Sequence, residues 1–214
     1  MKHHNAITLP RYFSLFLFIV TSVYCLAQTK LSAEQQKQML DKIDAAAQAT
    51  KSMQCDFTQT KHMKLLSKDM QSKGKMYFKR PDKLRWQYTS PYDYTFIMNG
   101  DKVSLNTKQI DAQKNKMFRQ ITSIILGSIT GGGLKSATDF TVELYKDGNN
   151  CFAKLYPKKK EVKQVYQVIE IHFNTALTMV NSVKMVEKTG DTTTVTLTNT
   201  KNNTAIDESL FDIH

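Results

Sequence analysis

Apolar and polar residues alternate along SKGKMYFKRPDKLRWQYTSPYDYTFIMNGD, residues 72–101. The period is two, as in a strand with one wet face. Lys73 to Lys79 and Lys83 to Thr89 form two such runs, separated by Arg80-Pro81-Asp82. Pro81 has no amide N–H and favours a turn, so the first run ends there. Alternation puts Met76 and Phe78 on one face, with Arg80 at the end of that face. In the second run Leu84, Trp86 and Tyr88 share a face, opposite Lys83, Arg85 and Gln87. Ser90-Pro91 closes this run, a third follows from Tyr94 to Met98, and Asn99-Gly100-Asp101 marks a hairpin. The expected product is an antiparallel meander with one aromatic face and one cationic face.

The same alternation predicts strands at Met53 to Lys61, with Cys55 and Phe57 on one side, and at Lys102 to Thr107. Further strands are expected at Phe140 to Lys146, Cys151 to Tyr156, Val165 to Phe173, Val180 to Lys188 and Thr192 to Thr198, about ten in all by this rule. Asp147-Gly148-Asn149 and Thr189-Gly190-Asp191 supply turns, and Lys158-Lys159-Lys160 reads as a basic loop. Two segments switch to helical spacing. Ser32 and Gln35 fit a capping box ahead of Met39, Leu40, Ile43, Ala46 and Ala47. Met117, Phe118, Ile121, Ile124, Ile125 and Ile129 predict a short apolar helix ended by Gly131-Gly132-Gly133. Ile206, Leu210 and Phe211 form a small apolar end expected to dock on the sheet. No strand–helix alternation occurs, which argues against a doubly wound fold. The fold class is α+β: a large curved antiparallel sheet with helices gathered on one side.

Residues 1–27 have the layout of a secretory signal peptide. Lys2 and Arg11 supply positive charge, Tyr12 to Tyr24 is an uncharged apolar run, and Cys25-Leu26-Ala27 suits cleavage before Gln28. The run falls short of the roughly 20 residues of a membrane span. Lipidation at Cys25 is the alternative, disfavoured by bulky Tyr24 just before it. Residues 28–214 are then expected to form a single domain. Because the first 27 residues hold two of the 30 basic side chains and none of the 19 acidic ones, the remainder is +9 (28 against 19). In an exported protein this charge suits an anionic membrane surface, an acidic partner or plain solubility, and no nucleic acid is expected. Cys55 and Cys151 could pair in an oxidising compartment or stay as buried thiols, and the sequence leaves both open.

Catalytic patterns are missing. His62, His172 and His214 have no H-x-x-x-H spacing, and there is no C-x-x-C or G-x-S-x-G. His172 reads as a wet-face residue of its strand. The glycine triplet lacks the Lys-Ser/Thr of a phosphate loop. No enzyme, metal or cofactor is expected. The surplus is apolar: Phe57, Met76, Phe78, Trp86, Tyr88, Phe96 and Met98 could face inward, as ordinary core or as an adaptable binding surface.

The run G-x-M-x-F-x-R-P-D-K-L-R-W-x-Y, then a Pro, then an apolar strand ending in N-G-D-K-V, resembles the outer-membrane lipoprotein carrier family, LolA. The F-T-Q at Phe57 matches the family's first strand. The resemblance implies an unclosed β-barrel with helices forming a lid over an apolar cavity. It implies a periplasmic, monomeric carrier of acylated lipoproteins, loaded by an inner-membrane ABC transporter and unloaded to an outer-membrane acceptor. The cavity would be lined by Phe57, Met76, Phe78, Leu84, Trp86, Tyr88, Phe96, Met98, Ile121, Ile124 and Ile125. Arg80 maps onto the family's rim arginine, which holds the lid shut through its carbonyls; five donors and a permanent charge suit that role. The mid-chain helix is short and glycine-rich for the family, and no C-terminal extension is evident. The alternative is an envelope protein of the same fold that binds lipid or glycolipid or senses lipoprotein.

Overall fold

The computed structural model describes residues 28–106, 108–110, 134–135 and 137–213. The expected signal peptide, Cys25, the mid-chain helix with Ile121, Ile124 and Ile125, and the glycine triplet lie outside the described residues. The ten expected strands are all present, and two short ones are added. They are β1 (Thr29–Lys30), β2 (Ser52–His62), β3 (Met70–Lys79), β4 (Lys83–Ser90), β5 (Tyr94–Asn99) and β6 (Lys102–Leu105). β7 (Lys108–Ile110), β8 (Phe140–Asp147), β9 (Asn150–Pro157), β10 (Tyr166–Phe173), β11 (Val180–Glu187) and β12 (Thr192–Asn202) complete the set.

They form one antiparallel sheet in the order β1-β8-β9-β10-β11-β12-β2-β3-β4-β5-β6-β7. The sheet is unclosed, with β1 and β7 at its edges. Both edge strands are only two and three residues long. Short edges leave little unpaired backbone to template association. The two additions are strands too short for alternation to reveal. The expected basic loop is present at Lys158 and Lys159, and Lys160 opens a short helix, Lys160–Val165, α2, with Val162 buried.

Helix α1 (Ala33–Ala49) begins as its capping box requires. The Gln35 amide donates to Ser32 Oγ at 3.3 Å, and the Ser32 amide to Gln35 Oε1 at 3.1 Å. Its apolar side buries Ile43 and Ala47 and lays Met39 and Leu40 on one half of the sheet face. That half contains Leu144, Ala153, Leu155, Ile169, Ile171, Phe173, Val183 and Met185. The other half, on β2 to β6, holds a second cluster around Phe57, Met76, Phe78 and Trp86. Cys55 and Cys151 are free buried thiols. They sit on β2 and β9, with three strands between them. At the usual strand spacing that is on the order of 19 Å, well beyond bridging reach.

The C-terminal apolar residues dock as expected, on the outer face. Phe211, in a 3₁₀ turn from Glu208 to Phe211, is fully buried. Arg85 Nη1 donates to Leu210 O at 3.1 Å and Asn99 Nδ2 to Phe211 O at 3.2 Å. The Glu208 carboxylate accepts from Lys79 and, at 2.7 Å, from Lys83. The hydrogen bond from Lys79, then that from Lys83, holds its pKa down from 4.5 to about 2. A depressed carboxylate contributes fully above its unfolded pKa and loses that contribution as pH falls through the folded value. Amides 208–212 are therefore expected to lose hydrogen-exchange protection between about pH 4.5 and pH 2, before the sheet does. Glu208→Gln should remove this step; an unchanged profile in that variant would rule the pairing out as its cause.

Gly74 marks a second constraint. A Cβ there would lie 2.0 Å from Gln87 O and 2.5 Å from Phe57 Cζ. The Phe57 ring occupies the space that a side chain on β3 would take. Gly74→Ala is expected to cost on the order of 3 kcal/mol by overpacking. Thermal denaturation should show a midpoint lowered by roughly 6–12 °C for a chain of this size.

Candidate functional site

Strand register builds the aromatic surface row by row. Met53, Phe78, Leu84, Met98 and Val103 align across β2 to β6. Cys55, Met76, Trp86, Phe96 and Leu105 form the next row, and Phe57, Gly74, Tyr88 and Tyr94 the third. Residues of successive rows are two positions apart on their strand, so all point to one face. The structure thus gathers Phe57, Met76, Phe78, Leu84, Trp86 and Phe96 into one buried cluster, with Tyr88 and Met98 partly buried against it. Phe57 and Trp86 rings lie 4.2 Å apart, and Tyr88 meets Phe57 edge-on at 5.1 Å. Gly74 lets Phe57 settle between them.

Polar atoms here are few and answered. Tyr88 donates to Gln59 Oε1 at 2.9 Å, and burial pushes its phenol pKa up. Burial also pushes the Cys55 thiol up to about 12, so it stays neutral. A neutral buried thiol behaves as a small apolar side chain and not as a nucleophile. Among the described residues no group of three or more His, Cys, Asp or Glu side chains could hold a metal ion.

Arg80 stands at the end of β3, where the aromatic half of the sheet meets the end of α1. Its Nε donates to Thr50 O and its Nη2 to Ala47 O, both at 2.8 Å. Its backbone amide donates to Lys51 O at 2.9 Å. The last turn of α1 carries no basic residue of its own. A helix C-terminus leaves carbonyls unpaired and has partial negative charge, so a guanidinium is well matched to it. Arg80 thus ties α1 to the β3–β4 turn from 30 residues away. Beneath this end of α1 lies a cavity of about 20 Å³, lined by Ile43, Ala47, Thr50, Met53, Phe173 and Asn202, among others. It has room for about one water. Asn202 carries a buried Oδ1 with no hydrogen-bond donor among the described residues.

His172 is on the outer face, as alternation predicts, but it is more than a solvated residue. Its ring stacks on Phe152 at 5.0 Å, and Phe152 stacks on Tyr145 at 5.5 Å. The three come together because β8, β9 and β10 pair them across the sheet. Alternation within one strand gives no sign of this stack. It also gives no sign that α1's carbonyls are the partners of Arg80.

The outer-membrane lipoprotein carrier protein of Methylococcus capsulatus is 24% identical over 164 residues, 76% of this chain and 77% of that one. The corresponding protein of Pseudomonas fluorescens is 22% identical over 187 residues, covering 87% and 89%. The crystal structure of MucB superposes with a TM-score of 0.50 at 10% identity, over 86% of this chain and 64% of that one, a likeness of fold. The family model of the outer membrane lipoprotein carrier protein LolA matches residues 48–214. That match spans the aromatic meander and Arg80 through to the C-terminal turn, and the chain belongs to the LolA family.

Proposed function

We propose that this protein is a periplasmic carrier that shields the acyl chains of lipoproteins and conveys them from the inner to the outer membrane. The observation that supports this most directly is the Arg80 tie. An apolar, aromatic sheet face lies beside a helix held at its C-terminus by bonds from one side chain. Those bonds can break without unravelling the sheet. Family membership supports the cargo class, since the relatives are named as lipoprotein carriers.

The physical need is large. At about 0.8 kcal/mol per buried CH₂, three acyl chains of about fifteen methylenes cost on the order of 30 kcal/mol in water. The carrier must cover much of this surface and still give it up. Phe57, Met76, Phe78, Leu84, Trp86, Tyr88, Phe96 and Met98 would supply the apolar contacts, and two methionines among them repack at little cost. Ile121, Ile124 and Ile125 are assigned to the same surface on the family resemblance. Closure by Arg80 opposes loading and favours release. The closed state competes with cargo, so apparent affinity falls with the fraction of open protein. An inner-membrane ABC transporter would drive loading, and an outer-membrane acceptor would receive the cargo.

Residues 28–214, mixed with lipoprotein-loaded inner membranes and ATP, are expected to yield a soluble carrier–lipoprotein complex. Arg80→Leu removes two charge-assisted hydrogen bonds, worth roughly 1.5–3 kcal/mol each. Cargo release to acceptor membranes should therefore slow by at least about tenfold in that variant. Unchanged release would remove Arg80 from the gating role, and absence of any complex would refute the carrier reading. Trp86 is the sole tryptophan and is only 7% exposed. Its emission should be quenched by a triacylated lipopeptide with brominated acyl chains, and left unchanged by the same peptide without acyl chains.

A further inference from the structure

Among the described residues six large hydrophobic side chains are exposed: Leu65 at 95%, Tyr92 at 80%, Met70 at 58%, and Leu66, Val165 and Tyr156 less so. Strand polarity brings all six to one end of the sheet. β2 leaves this end at His62 and β3 enters it at Met70, with Lys61 opposite Met70. Tyr88 opposite Tyr94 brings the β4–β5 turn, with Tyr92, to the same end. Tyr166 opposite Glu187 does so for α2 with Val165, and Phe140 opposite Pro157 for the end of β9 with Tyr156. The opposite end holds Arg80 and the end of α1.

The protruding segments are joined to one another. The Lys64 amide donates to Asp191 Oδ1 at 3.0 Å, linking the β2–β3 loop to the β11–β12 turn. The Lys188 amide donates to Val165 O at 2.9 Å, linking that turn to α2. Lysines are interleaved along this chain of contacts. Lys64, Lys68, Lys158, Lys160, Lys163 and Lys188 form no ion pair among the described residues.

We infer that this end of the sheet docks directly on an anionic lipid bilayer. Leu65, Leu66 and Tyr92 stand on loops, Met70 and Tyr156 at strand ends and Val165 at the end of α2. They are spread over separate elements, unlike the continuous groove that docking of a protein helix or strand would require. A bilayer interface accepts separate protrusions of any outline. Leucine and methionine can enter the acyl boundary, tyrosine suits the headgroup level, and lysines reach the anionic headgroups beside them. Singly exposed apolar residues are ordinary on a protein surface. Their confinement to one end, among lysines without acidic partners, is what calls for an explanation. Docking in this pose leaves the Arg80 tie at the far end of the sheet, clear of the membrane.

The inference does not depend on acyl-chain binding, because it is tested on vesicles that contain no lipoprotein. Residues 28–214 include all twelve strands and leave out the apolar N-terminal segment. They are expected to co-float with phosphatidylglycerol-containing vesicles and to bind pure phosphatidylcholine vesicles at least about tenfold more weakly. The double variant Leu65→Asp/Leu66→Asp, both in an exposed loop, should lose about tenfold or more of that binding with its melting temperature unchanged. Leu65→Trp should shift its emission to the blue on the anionic vesicles. Equal binding by the double variant would overturn the inference, as would an unshifted Leu65→Trp emission or no preference for anionic lipid. A failure of these tests leaves the soluble-complex assay of the carrier unaffected.

Discussion

Cross-strand register on β2 to β6 is the constraint from which the rest of the site follows. Side chains alternate with a period of two, so sliding one strand by one residue would turn Trp86 and Met76 to solvent and lysines to the core. Phe57 over Gly74 pins that register at one point, because the aromatic ring and the missing Cβ fit only in the observed pairing. The same register sends Lys75, Lys79, Lys83 and Arg85 outward. It sets Arg80 at the end of β3, within reach of α1.

The sheet has too much apolar face for one helix to cover. α1 packs on the β8 to β12 half through Ile43, Ala47, Met39 and Leu40. The aromatic half forms its own cluster through ring–ring contacts and methionine. Arg80 stands where the two halves meet. Its guanidinium bonds the negative end of the helix, and its strand belongs to the aromatic half. A few directional bonds at such a junction can be exchanged at a small cost beside that of the sheet ladder.

The outer face has its own chemistry. The C-terminal turn buries Phe211 and holds Glu208 against two lysines. On the other half Tyr145, Phe152 and His172 stack in a row beside Lys154. Wet faces of antiparallel sheets tolerate such clusters because long charged side chains cover the rings. The exposed Leu65, Leu66 and Tyr92 lie on loops at the sheet's end, while Tyr156, on β9, meets Tyr145 of the stack.

Ten strands, the capped helix, the aromatic face and the place of Arg80 at the end of that face were legible in the amino-acid sequence. These features are local: alternation, capping boxes and proline turns act over a few residues, and the meander motif is contiguous. The short strands β1 and β7 were not, since two or three residues carry no period. Nor was α2, where lysines dominate the pattern. Only the tertiary structure decided that Cys55 and Cys151 stay apart, since that depends on three intervening strands. It alone paired Arg80 with Ala47 and Thr50, Glu208 with Lys79 and Lys83, and His172 with Phe152. Each of these contacts joins residues brought together by strand order and strand polarity, which no single window of sequence encodes.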